Sequence, residues 1–196
     1  METESKSDAQ KWDRIYTDRP TATPLAATVL IQNQHLLPET GSALDLACGR
    51  GGNALLLAAR GLVTHAWDIS MVALEDLRQL AANAGLLINV DHRDVTKNPP
   101  TPDSLDVIIV SHFLDRALIP HLITALRPGG LLFYQTFLRA AVDASGPSNP
   151  EYRLGSNELL ALFRSLQILV YREEGVIGDI QRGWRNEAML VGRKPE

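Results

Sequence analysis

The chain has 196 residues, 45% hydrophobic and 21% charged, with nineteen basic side chains against twenty-three acidic ones. That composition fits one globular domain with a sizeable core, and a net charge of −4 without any Lys/Arg block longer than two residues gives no footprint for a nucleic-acid partner. No apolar run approaches the roughly 20 residues of a membrane span, so no membrane segment is expected.

Along the chain, residues 1–8 read as a frayed start and residues 9–16 as weakly helical, and Pro20 and Pro24 then interrupt the pattern. "LAATVLIQNQHLL" (25–37) predicts an amphipathic helix, which makes 9–38 an N-terminal helical lid region on a single domain spanning 1–196. Strand and helix then alternate. "ALDLA" (43–47), "VTHAW" (63–67), "LINVD" (87–91), "LDVIIV" (105–110) and "LLFYQTF" (131–137) predict strands. "GNALLLAARG" (52–61), "MVALEDLRQLAANAG" (71–85) and "RALIPHLITAL" (116–126) predict helices, the last broken or kinked at Pro120. "RPGG" reads as a turn into the fifth strand. After a long loop at 138–155 comes a helix at 156–166, capped by Ser156 or Asn157. The runs 167–174 and 187–194 come next with no helix between them, so they are expected to pair antiparallel. The fold class is therefore α/β: a mostly parallel sheet with helices on both faces.

"ALDLACGRGGNALLLAARGLVTHAWDIS" (43–70) is a strand, a glycine turn, a helix and a second strand ending in an aspartate. Such a turn lets a ligand approach the backbone at a helix N-terminus. Gly49, Gly51 and Ala54 satisfy the dinucleotide spacing, with Asp68 about 20 residues on, so an NAD(P)-binding oxidoreductase is one reading. The carboxylates favour another. Asp45, Asp68 and Asp94 fall at the C-terminal ends of the first three strands, the edge where open α/β sheets bind ligands. A pyrophosphate would meet repulsion there. A ligand with an ammonium, a sulfonium, a ribose diol and an exocyclic amine, and no phosphate, suits three acids. S-adenosylmethionine is such a ligand.

These motifs, "LDLACGRGG…AWDIS…HRDV…LDVIIVSHFLDR…LRPGGLLFYQTF", resemble the class I S-adenosylmethionine-dependent methyltransferases over residues 40–137. The resemblance implies a Rossmann-like seven-stranded sheet in the order 3-2-1-4-5-7-6, with strand 7 antiparallel. It implies cofactor contacts from Asp45, Ala47, Gly49, Gly51, Asn53, Asp68, Ile69, Asp94, Val95 and Ser111. Among these, Asp68 would accept the ribose hydroxyls, Asp94 would face the adenine amino group and Val95 the ring. His112, just past the fourth strand, would lie beside the methyl group as the candidate catalytic residue. Ala47 stands where the family more often has a glycine, tolerable if its φ is negative. "KWDRIY", "NELLALF" and "EAMLVGRKP" are similar to segments of the small tellurite-resistance and thiol methyltransferases, although Gln181 stands where that subgroup often has a histidine.

The remaining side chains divide into functional and structural readings. Cys48, the only cysteine, excludes an intramolecular disulfide, fits a reducing cytoplasm and reads as a small buried residue rather than a nucleophile. His35, His65, His92 and His121 show no metal-ligand spacing, so no metal is expected. Asp106, at the far edge of the fourth strand, reads as structural. Trp12 and Tyr16 either close over the cofactor or anchor the N-terminal helix. Arg139, Tyr152, Arg153 and Trp184 are candidate substrate contacts on long loops. The expected function is methyl transfer from S-adenosylmethionine to a small molecule, a thiol or an oxyanion. The alternatives are the oxidoreductase and a non-catalytic S-adenosylmethionine-binding module.

Overall fold

The computed structural model describes residues 2–18 and 23–196; Pro20 lies outside them. Helix α1 (Glu2–Asp18) is followed by a short α2 (Thr28–Asn33), and then β1 (Ser42–Leu46), α3 (Gly52–Ala59), β2 (Val63–Asp68), α4 (Met71–Ala84) and β3 (Ile88–His92). The second half contains β4 (Leu105–Ser111), α5 (Ile119–Ala125), β5 (Leu126–Phe137), α6 (Glu158–Leu162), β6 (Gln167–Arg172) and β7 (Glu187–Arg193). The strands form one sheet in the order β3-β2-β1-β4-β5-β7-β6. The five strands β1 to β5 pair in parallel, and β7 runs antiparallel to both β5 and β6.

Alternation along the central strands sends side chains to two apolar layers. Leu44, Leu46, Ile108, Val110, Leu132 and Leu190 pack under α5 and α6. Ala43, Val107, Ile109, Phe133, Met189 and Val191 pack under α2 and α3, with Val29, Leu30 and Leu57. Strands buried on both faces explain the continuous apolar runs seen in the sequence.

Local details depart from expectation for identifiable reasons. Helix α1 begins at Glu2, earlier than the residue-9 start the sequence suggests. The 25–37 helix contracts to Thr28–Asn33 and continues as a 3₁₀ turn over Gln34–Leu36. Pro120 opens α5 instead of kinking it, because a first-turn proline forfeits no helical hydrogen bond. "RPGG" lies inside β5 as an irregularity: the pairing moves from Leu105–Leu126 to Val107–Leu131. Asn157 occupies the N-cap of α6 with φ 55 and makes no side-chain cap; its N–H goes to Glu173. Asp106 is structural, accepting from the Ser42 N–H at 2.7 Å and from Arg127 at 2.6 Å.

Two features of this topology create the ligand edge. Strands β1 and β4 are neighbours whose connections leave in opposite directions, so a crevice opens beyond their C-terminal ends. Strand β7 is antiparallel, so its first residue, Glu187, lies at that same edge. The backbone is strained there. Ala47, directly after β1, has φ 54, and His112, directly after β4, has φ 55. The expectation of a negative φ at Ala47 is thus wrong; the tight exit from β1 requires the left-handed region, at a cost of roughly 1–2 kcal/mol for a residue with a Cβ. Strained non-glycine residues of this kind concentrate at functional sites.

A clasp holds the crevice walls together. Asp45, fully buried in the middle of β1, accepts from the Asn53 side chain at 3.1 Å and from the Ala54 N–H at 3.0 Å. The Asn53 amide also donates to the Ser111 hydroxyl at 3.0 Å, and its oxygen accepts from the Ala27 N–H at 2.8 Å. Burial pushes the Asp45 carboxyl up to about 7, although the Asn53 and Ala54 hydrogen bonds oppose the shift. An acid whose folded pKa is raised binds its proton more tightly in the folded state than in the unfolded one. Its stabilising contribution is complete below about pH 4 and is lost as pH rises through about 7. Burial of Asp68 acts in the same direction. Urea titrations between pH 4 and 8 should show this decline, and Asp45→Asn should flatten part of it; an unchanged slope in the variant would remove Asp45 from the pH dependence.

Candidate functional site

The loop between β1 and α3 carries its glycines in conformations that side chains disfavour. Gly49 has φ 53 and Gly51 has φ 75. A Cβ on Gly51 would collide with Leu77 of α4, and one on Gly49 would lie 2.5 Å from the Tyr16 hydroxyl. The loop is also electrically committed. The Gly49 N–H donates to Asp68 Oδ2 at 2.7 Å, the Gly51 N–H to the Cys48 carbonyl at 2.9 Å and the Ala54 N–H to Asp45. A dinucleotide pyrophosphate depends on free amides at this place. Here two of them already serve internal carboxylates. Asp45 is therefore not the open-edge anion the sequence suggested: it stands behind the loop, buried. Cys48 is buried too, and its thiol is pushed up by desolvation, which makes it a poor nucleophile.

Asp68 is nearly buried at the end of β2. Its second oxygen accepts from the Ser70 N–H at 2.8 Å, and burial raises its pKa. Ser70 caps α4 through the Ala73 N–H and donates to Asp13 of α1 at 2.6 Å. Arg50 completes the docking of α1: it pairs with Asp76 of α4 at 2.6 Å and donates to the Tyr16 carbonyl at 2.7 Å. Tyr16 thus rests on the glycine loop itself, while Trp12 stays partly exposed. Tyr16 covers the loop, and α1 is also anchored.

The third carboxylate is engaged locally. Asp94 accepts from the Thr96 N–H at 3.1 Å and the Thr96 hydroxyl at 2.6 Å, and pairs with Lys97 at 3.1 Å. Ile69 is half-buried, its carbonyl 2.9 Å from His92 Nε2. The Val95 side chain, expected to lie against the adenine ring, is buried in the core cluster with Leu46 and Val110. The Asn53 amide, also expected to touch the cofactor, is instead turned inward on Asp45, Ser111 and Ala27.

Across the crevice, His112 is about half exposed. Its Nε2 lies 3.0 Å from Glu187 Oε1, and its ring stacks on Phe137 with centroids 4.9 Å apart. Glu187 in turn accepts from the buried Gln135 at 2.6 Å. Sequence reasoning missed Glu187, Gln135 and Phe137. The available signal was the antiparallel seventh strand, which brings its first residue to the ligand edge.

The loop candidates fare differently. Arg153 donates to the carbonyls of Leu138, Ser145 and Pro147 and so ties the 138–155 loop to itself. Trp184 is half-buried against the α2 side of the sheet; its backbone N–H goes to Glu174 at 2.8 Å, while its indole N–H is buried without a partner among the described residues. Both make internal contacts in this conformation. Arg139 keeps an exposed guanidinium beside Glu151, at 3.7 Å. Tyr152 is exposed, as is Gln181.

Residues 43–130 match a family model described as a methyltransferase domain. A curated relative, Hemagglutinin 1 of Eikenella corrodens, is 28% identical over 138 residues, which are 66% of this chain and 45% of the relative. The chain thus spans about half the length of that protein. The structure of TehB from Haemophilus influenzae superposes with a TM-score of 0.71 at 19% identity, covering 93% of this chain and 67% of TehB. An S-adenosylmethionine-dependent methyltransferase from Methanosarcina mazei superposes with a TM-score of 0.67 at 18% identity, covering 88% and 99% of the two chains. Among the described residues, no helix is long and apolar enough to cross a membrane. Residues 43–130 are thus matched as a methyltransferase domain, and the chain shares its fold with S-adenosylmethionine-dependent methyltransferases of known structure.

Proposed function

We propose that this protein transfers the methyl group of S-adenosylmethionine to a small, proton-bearing acceptor, a thiol being the class that best suits the site. The observation that carries this reading is the crevice beyond β1 and β4: a glycine loop with its amides committed to carboxylates on one side, and a histidine with a carboxylate partner on the other. The loop residues fit a cofactor that brings positive charge and a ribose diol and no phosphate. In this reading Asp68 serves the ribose, the Gly49–Gly51 backbone flanks the methionine portion, and Ser111 lines the crevice between them and His112. Asp94 is the adenine-side candidate, once its turn is rearranged around Thr96.

Bound there, S-adenosylmethionine supplies a methyl group already activated by its sulfonium. The chain's own residues then have three tasks: alignment, exclusion of water and handling of the acceptor's proton. Alignment of two reactants is worth roughly 7–11 kcal/mol where the geometry is good. Tyr16 and α1 shield the loop side from solvent. His112 takes the proton of the acceptor, and Arg139, whose half-exposed guanidinium also meets Glu151 and the Pro150 carbonyl, is the candidate cation for an anionic part of that molecule.

Two measurements test these roles separately. Asp68→Ala should weaken S-adenosylmethionine binding by about 1.5–3 kcal/mol in calorimetry, the range for hydrogen bonds to a charged group, while circular dichroism shows the fold retained; unchanged affinity would remove Asp68 from the ribose site. His112→Ala should keep cofactor affinity and lower turnover on a thiol by about 10²–10⁴-fold. That deficit should shrink as pH rises past the thiol's own pKa, because the proton is then already gone. Wild-type turnover at every pH would make His112 a bystander.

A further inference from the structure

The crevice holds a directed chain of hydrogen bonds that ends on His112. It starts at the Val29 N–H in α2, a group that can only donate. That N–H gives its hydrogen to Gln135 Oε1 at 2.8 Å, which fixes which way round the buried Gln135 amide sits. The amide nitrogen therefore faces Glu187 and donates to Oε2 at 2.6 Å. Glu187 Oε1 is left to the histidine, 3.0 Å from Nε2. A carboxylate only accepts, so a neutral imidazole must carry its hydrogen on Nε2. The lone pair is then on Nδ1. Stacking on Phe137 and the His112 N–H bond to the Gln135 carbonyl, at 2.8 Å, hold ring and backbone in place.

We propose that Glu187 is a positioning residue for the reaction: with Gln135 behind it, it locks His112 in the Nε2–H tautomer and so makes Nδ1 the atom that receives the acceptor's proton. This rests on the reading of His112 as the group that handles that proton. The step balances. The acceptor's proton passes to Nδ1, the acceptor's electron pair forms the new bond to the methyl carbon, and the old carbon–sulfur bond breaks with its pair neutralising the sulfonium. The resulting imidazolium, stabilised by the Glu187 carboxylate, returns its proton to water. The polarity of the chain is set by a backbone amide of α2, which ties the tautomer to correct docking of the N-terminal segment on β5.

Glu187→Gln is the informative variant because it keeps the size of the side chain. Gln135 still donates, so the new amide oxygen turns toward it and the new NH₂ faces His112. Nε2 must then accept, and the hydrogen moves to Nδ1. Long-range ¹H–¹⁵N spectra of the imidazoles, recorded above their titration range and assigned to His112 with His112→Ala, should show the Nε2–H pattern in the wild type. Glu187→Gln should shift it toward Nδ1–H. Turnover on 2-mercaptoethanol should fall by about 10²-fold in Glu187→Gln with S-adenosylmethionine affinity unchanged, and the double variant should be no slower than His112→Ala alone. An Nδ1–H pattern in the wild type, or an unaltered pattern in Glu187→Gln, would overturn the proposal whatever the turnover. If the tautomer shifts as expected but His112→Ala turns over like the wild type, the clamp exists and the proton-accepting role of His112 is what fails.

Discussion

The buried contact between Asp45 and Asn53 is the constraint on which the rest of the site depends. Through Asn53 it joins four pieces of chain: the middle of β1, the first turn of α3, the end of β4 and the residue that precedes α2. A carboxylate is costly to bury, and this one offsets part of the cost by capping the Ala54 N–H. The consequence reaches the chemistry. A helix N-terminus that already holds an internal carboxylate has less to offer a phosphate. Asp68 repeats the device one strand away by taking the Gly49 N–H. The same strand–glycine turn–helix element that cradles pyrophosphate in dinucleotide folds is here prepared for a ligand without one.

The fold contributes a second constraint through strand direction. In a fully parallel sheet the residue at Glu187's place in sequence would lie at the edge opposite the ligand. Because β7 runs antiparallel, its first residue faces the end of β4. Two of the positive-φ non-glycine residues, Ala47 and His112, end the two strands that flank the topological switch point. Strand order, backbone strain and the His112–Glu187–Gln135 chain therefore converge on one crevice, although their residues are scattered from 29 to 187.

Much of the architecture was legible because buried parallel strands and amphipathic helices leave strong patterns. The antiparallel pair and the placement of Gly49, Asp68 and His112 just past strand ends follow from where apolar runs stop, while the strand order is legible only through the family resemblance. The failures have physical causes as well. Pro120 and "RPGG" were read by local propensity, yet a proline in a first helical turn breaks nothing and an irregular strand absorbs extra residues. Alanine itself gives no sign of the left-handed φ at Ala47; the one sign is the glycine that the resembled family more often has there. Sequence likewise cannot show that loop carbonyls engage the Arg153 side chain or that Trp184 packs on a sheet face. Glu187 was missed for the converse reason: its partners are 75 and 52 residues away in sequence.

The central claim is that this glycine loop is built for a cationic adenosyl cofactor and not for a dinucleotide. Calorimetric titration of the wild-type protein with S-adenosylmethionine, S-adenosylhomocysteine and NAD tests it most directly. The account predicts saturable one-to-one binding of the first two and no binding of NAD at concentrations that saturate them. Tight binding of NAD, with S-adenosylmethionine failing to bind or to compete, would contradict it.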